Sequence, residues 1–241
     1  MGMKNASYLA FALLGFAACG DDGGTTGGVD APPVSQNITV MGIASEIGLS
    51  GRTPTAGVMV TAFKEGDDTT AIVSATTDAA GAYTLVIPTN GVALDGYLVG
   101  KLSGRKDTYL YPPRPIAADL PSAPVLLLTQ TIFEAAATLA QAPQPAGMGW
   151  IGIQVFDAAN MPVAGVTVTS SPAGTVRYND PSNGRPNKAQ TSTAPDGIAY
   201  IFSVAPGTVA ISASGGTGNL SYHTHNVNAR ADQVTTTLIQ P

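Results

Sequence analysis

Pro54-Thr55-Ala56-Gly57-Val58-Met59-Val60-Thr61 returns further along the chain as Pro162-Val163-Ala164-Gly165-Val166-Thr167-Val168-Thr169. In each copy Pro and Gly make a turn, and two valines follow at alternate positions. Val58 and Val60 flank Met59, and Val166 and Val168 flank Thr167, which is the period of a half-buried strand. A β-prone segment precedes each copy: Ile38-Thr39-Val40-Met41-Gly42-Ile43 and Trp150-Ile151-Gly152-Ile153-Gln154-Val155. An acidic turn and another strand follow each copy. These are Asp78-Ala79-Ala80-Gly81 leading into Ala82-Tyr83-Thr84-Leu85-Val86-Ile87-Pro88, and Asp196-Gly197 leading into Ile198-Ala199-Tyr200-Ile201-Phe202. The Asp and Gly supply the chain reversal, with Gly taking positive φ at little cost. An internal repeat of short strands at this spacing predicts an all-β fold of two tandem β-sandwiches.

The copies are not equal. The stretch from Gly165 to Gly197 is longer than that from Gly57 to Gly81, and the surplus is expected within Ser171 to Lys188. That segment holds Pro172, Gly174, Pro181, Gly184 and Pro186, so it reads as a loop, with Tyr178 inside it. The first copy is elaborated later, where Tyr109 and Tyr111 precede a proline-rich run from Pro112 to Pro124. Between the copies, Thr131-Ile132-Phe133-Glu134 fits a capping box. Ala135, Ala136, Ala137, Leu139 and Ala140 favour a helix that Pro143 ends. A spacer helix packing Ile132, Phe133 and Leu139 on one sandwich is expected. The organisation predicted is a leader over 1–18, a tether over 19–36, sandwiches over 37–129 and 148–241, and a helical linker over 130–147.

The start of the chain reads as an address. Lys4 precedes a short apolar stretch from Ala6 to Ala18, too short for a membrane span and suited to an export signal. It ends Gly15-Phe16-Ala17-Ala18-Cys19. Gly20 to Val34 is rich in Gly, Thr and Asp and is expected to form a flexible tether.

Composition excludes several classes. The 241 residues carry 11 Lys+Arg against 16 Asp+Glu, a net charge of −5, and only 11% are charged. No basic face exists to neutralise phosphates, so nucleic acid is not an expected partner. A single Cys forbids an internal disulfide. Neither a Gly-every-third pattern nor heptads appear.

Small residues before the only Cys resemble a bacterial lipobox, although Phe16 stands where Leu is usual. The resemblance implies cleavage before Cys19 and lipidation of its thiol. It implies an exported protein anchored to a bacterial membrane, at the outer membrane or cell surface. The strand, P-x-A-G-V-x-V turn and D-x-x-G-x-Y hairpin, with Ala205-Pro206-Gly207-Thr208-Val209-Ala210-Ile211 in the second copy, resemble the carboxypeptidase regulatory-like domain. That family is a transthyretin-like, Ig-like β-sandwich, and it implies a fold more than an activity. The expected role is a non-enzymatic binding or structural module of the cell envelope without a cofactor. An envelope glycan or a protein is the expected type of ligand.

Both histidines stand in Tyr222-His223-Thr224-His225. On a strand, residues two apart share a face, so both imidazoles could address one ion. The order Tyr178, Asp196-Gly197, Tyr200, Pro206-Gly207, His223 and His225 is also similar to the intradiol dioxygenase sandwich. That family holds ferric iron on two Tyr and two His, which makes His223, His225 and Tyr178 the candidate metal ligands. The second ligand Tyr of that family falls near Thr208 here, and a Thr hydroxyl supplies no phenolate. The acidic residues form no Asp-x-Asp-x-Asp run for calcium. No G-x-S-x-G, H-E-x-x-H or C-x-x-C occurs. Tyr109 and Tyr111 are the candidate ligand-stacking residues.

Overall fold

The computed structural model describes residues 34–48, 51–218 and 220–241. The expected export signal, the expected lipidation of Cys19 and nearly all of the expected tether therefore fall outside the described residues. The described residues are mostly β, with several sheets and one short helix.

The first half contributes β1 (Asn37–Gly48), β2 (Gly51–Pro54), β3 (Met59–Lys64), β4 (Ala71–Thr76), β5 (Ala82–Pro88), β6 (Gly96–Lys101), β7 (Thr108–Tyr111) and β8 (Val125–Leu127). One sheet runs β2-β1-β5, with β8 parallel to β1, and the facing sheet runs β4-β3-β6-β7. Strand β5 shows why they face each other. Tyr83, Leu85 and Ile87 are buried while Thr84 and Val86 are exposed, the alternation of a sheet wet on one side. With Val40, Val60, Leu98 and Leu127 they form the first core.

The second half contributes β9 (Gly149–Val155), β10 (Val166–Ser171), β11 (Thr175–Asn179), β12 (Pro186–Asn187), β13 (Ile198–Val204), β14 (Gly207–Gly215), β15 (His225–Ala229) and β16 (Val234–Ile239). Its sheets run β10-β14-β15 and β12-β11-β13-β9-β16. The segment expected as a loop around Tyr178 thus forms β11 and β12, with Tyr178 paired to Ala199 and Asn187.

The repeat is written into the backbone. Thr77 Oγ1 accepts from Val58 N–H and donates to the Thr55 carbonyl. Thr193 Oγ1 accepts from Val166 N–H and donates to the Val163 carbonyl. Ala44 N–H reaches the Gly81 carbonyl as Val155 N–H reaches that of Gly197. Both glycines have positive φ, 74° and 68°, and a Cβ on either would stand 2.6 Å or 2.5 Å from the carbonyl oxygen of Ala44 or Val155. Only Gly satisfies both demands.

The halves are not two self-contained sandwiches joined only by a helix. Strand β16 lies parallel to β9 on one side and to β7 on the other, so one sheet from each half merges into a single nine-stranded sheet. The expectation of a purely tandem arrangement is corrected here. The cause lies in strands that are apolar on both faces. In β6, Leu98 joins the first core, while Tyr97 and Val99 join the second core beside Ile151, Ile153 and Tyr111. Along the seam, Thr236 Oγ1 donates to the Tyr109 carbonyl at 3.2 Å and Thr237 Oγ1 to that of Tyr111 at 3.0 Å. Tyr109 and Tyr111, the candidate stacking residues, are therefore residues of a strand inside the shared sheet.

Helix α1 (Gln130–Leu139) lies between the halves. Its N-cap is Thr129, whose hydroxyl accepts from Ile132 N–H, and not Thr131. Phe133 packs on Trp150 at 6.1 Å, with Phe202 and Val234 in the same cluster. Leu139, expected to pack, is 45% exposed. Arg177 donates to the carbonyls of Ala140 at 2.8 Å and Gln141 at 3.0 Å, satisfying the helix C-terminus.

Candidate functional site

Two features sit at the seam. The first is a polar and aromatic cluster on the shared sheet. The Arg230 guanidinium lies 3.9 Å from the Tyr109 ring centroid and 4.9 Å from that of Tyr97. It donates to Tyr111 Oη at 3.2 Å and pairs with Asp68 at 2.8 Å. Tyr97 also donates to Asp68, and Asn228 donates to Glu65 at 2.9 Å. Burial works against the Arg230 charge, but Tyr111 and Asp68 outweigh it and hold its pKa above the ordinary guanidinium value. Burial and the hydrogen bond to Asp68 push the Tyr97 hydroxyl up. Burial and neighbouring Asp95 raise the Glu65 carboxyl. A phenol held protonated is no nucleophile and no phenolate ligand. The cluster ties Asp68 and Glu65 of the first half to Arg230 and Asn228 of the second.

The second feature is a cavity of about 330 Å³ covered by the proline-rich segment after β7. That segment is fixed at several points. Leu94 and Ile116 exchange backbone hydrogen bonds, Leu120 bonds Thr39 and Met41, and Asp119 accepts from Thr39 N–H at 2.7 Å. Leu94, Leu98, Leu110, Ile116 and Leu120 of the first half wall the cavity together with Leu238 of β16. Tyr97, Tyr111, Arg114, Ser122 and Gln240 bring polar groups to the same lining.

A second cavity of about 350 Å³ shares Pro113, Arg114, Leu238 and Gln240 with the first and adds His223, His225 and Ile239. The structure therefore brings the two histidines to one place, although only His225 belongs to β15. His225 Nε2 is buried with no hydrogen-bond partner, and burial lowers the pKa of its ring. Tyr178 is placed elsewhere. It is 4% exposed in the second core, and its hydroxyl accepts from Val168 N–H at 2.9 Å. Among the described residues, no group of three or more His, Cys, Asp or Glu side chains is arranged to hold a metal ion. Tyr109 and Tyr111 meet Arg230 and do not stand free as a stacking platform.

Sequence reasoning missed Arg114 and Arg230. Arg114 carried a signal, as the one charge in Pro112-Pro113-Arg114-Pro115. Arg230 carried none, because its partners lie far along the chain at Asp68 and Tyr111.

No family model matches the sequence, and comparison with curated proteins returns no match. Solved structures give distant likenesses. The shaft pilin SpaA from Lactobacillus rhamnosus GG aligns at 15% identity and a TM-score of 0.26, over 86% of this chain and 97% of that one. The minor pilin GBS52 of Streptococcus agalactiae aligns at 14% identity and 0.27, over 84% and 94%. The Bacillus anthracis TIE protein aligns at 11% identity and 0.27, over 84% of this chain and 34% of its own. At these scores the likeness carries no argument about role or partner.

Proposed function

We propose that this protein is an exported envelope module, anchored to a bacterial membrane through lipidated Cys19, that binds a small apolar molecule and performs no chemistry on it. The resemblance of its repeats to regulatory-like β-sandwich domains supports a module of that fold. The observation that carries the binding is the cavity of about 330 Å³ with leucine and isoleucine walls drawn from both halves. Its size falls within the range of small-molecule pockets, and such pockets are mostly apolar with a few placed polar groups. Apolar walls gain by exchanging contact with water for contact with an apolar ligand.

Two measurements test this. Mass spectrometry of the mature N-terminus should find Cys19 carrying acyl chains, and an unmodified thiol there overturns the anchor. Methyl NMR of the mature protein in nanodiscs, titrated with 4-phenyl-1-butanol against empty nanodiscs, should move the methyls of Leu98, Leu110 and Leu238. Resonances of these three residues that stay still at saturating probe overturn the binding role.

A further inference from the structure

We propose that the two adjoining cavities form one site for an amphipathic organic anion, its apolar body among the leucines and its acidic head at Arg114 and the histidines. The proposal rests on the binding role above and adds the charge of the ligand. Three observations converge. Arg114 is the one Lys or Arg among the residues lining either cavity, and no Asp or Glu lines them. In a protein of net charge −5, a cation with no Asp or Glu among its fellow lining residues is a local exception. Arg114 gives one Nη2 hydrogen bond to the backbone oxygen of Pro241, and its other guanidinium donors can meet a ligand.

The histidines supply the third observation. His225 lines the polar cavity, and its Nε2 is buried without a partner. A buried polar atom left unpaired loses its hydration with no return, and a ligand oxygen would restore the lost bond. With the proton on Nε2, the neutral ring donates one hydrogen bond to a carboxylate, and His223 lines the same space. The two cavities adjoin at Pro113, Arg114, Leu238 and Gln240, and the proposed site places the apolar part and the head of one molecule on either side of those residues. The chemical class is a carboxylate on an aryl-alkyl or short acyl body.

A charge series tests this on the mature protein in nanodiscs, with empty nanodiscs as the blank, by equilibrium dialysis and methyl NMR. The probes are 4-phenylbutyrate, 4-phenyl-1-butanol and 4-phenylbutylamine. The carboxylate should bind about tenfold more tightly than the alcohol, and the amine more weakly than either, because a charge-assisted contact to Arg is formed only by the first. Arg114→Gln should bring the carboxylate down to the alcohol while leaving the alcohol unchanged, and the Leu98 and Leu238 methyl shifts should persist. Equal binding of carboxylate and alcohol by the native protein overturns the anion site and leaves the apolar cavity standing. A carboxylate preference that survives Arg114→Gln also overturns it. Failure of all three probes to bind overturns both.

Discussion

The two halves follow the same backbone scheme up to one point and then part. In the first, β4 pairs with β3, and in the second the matching strand β11 pairs with β13 on the opposite sheet. The last strands differ as well. Strand β8 is three residues long and adds to β1 alone, whereas β16 is six residues long and adds to both β9 and β7. The interior of a repeat unit is fixed by local turns and alternation, but its edges are free to choose partners. An edge presents unpaired N–H and C=O groups that any suitable strand can satisfy. Here the edge at β7 takes β16, and that choice turns two sandwiches into one body.

The largest effect is expected at the duplicated glycines. Gly81→Val and Gly197→Val each combine a strained positive φ with a clash on a backbone carbonyl, and each should cost roughly 2–4 kcal/mol. If the shared sheet makes the halves cooperative, either substitution lowers a single denaturation midpoint seen by all probes. Two separate transitions, with Gly81→Val moving one of them, would show that the halves unfold independently.

Arg230→Met comes next, because it removes the charge that Asp68, Tyr97, Tyr109 and Tyr111 surround. A loss of about 2 kcal/mol is expected in urea unfolding. Asp68→Asn should be partly redundant with it in a double-mutant cycle, since both break one contact. Full additivity would remove the cluster as a link between the halves.

Thr237→Val keeps the shape and loses the hydroxyl that donates to Tyr111 across the seam, so about 1 kcal/mol is expected. The exposed Thr84 on β5 is the control, and Thr84→Val should change stability by less than about 0.5 kcal/mol.

The smallest effect concerns pH. Burial and Asp95 raise the Glu65 carboxyl in the folded state. Its contribution is therefore present below the ordinary Glu range and is lost as pH rises through the raised folded value. Glu65→Gln should flatten that slope and stabilise by less than about 0.5 kcal/mol at pH 7. A native protein whose stability shows no difference in slope from this variant between pH 4 and 7, a range set around the ordinary carboxylate pKa, would contradict the environment described for Glu65.

Much of the fold was legible in the residues. The duplicated turn, the alternation of Val58 and Val60 or Val166 and Val168, and the Asp-Gly reversals depend on neighbours within a few positions, and the threonine and glycine bonds of the turn recur in both halves. The helix was legible too, although its cap moved from Thr131 to Thr129, a shift within the ordinary uncertainty of helix ends. The strand at Tyr109 and Tyr111 was masked by the prolines that follow it, although both residues have high β propensity. Of the site, the His223 and His225 pair was visible as a pair. Its company of Arg114, Leu238 and Gln240 was not, since those residues come from distant segments.

Sequence by itself determined the repeated strands, their turns and the sign of the net charge, because each is a property of local spacing or of composition. The tertiary structure alone decided which edges met, which faces were buried twice, and that Arg114 and the histidines would share adjoining cavities. Strand partnership is a contest between distant segments for the same unpaired backbone groups, and no local pattern records its outcome.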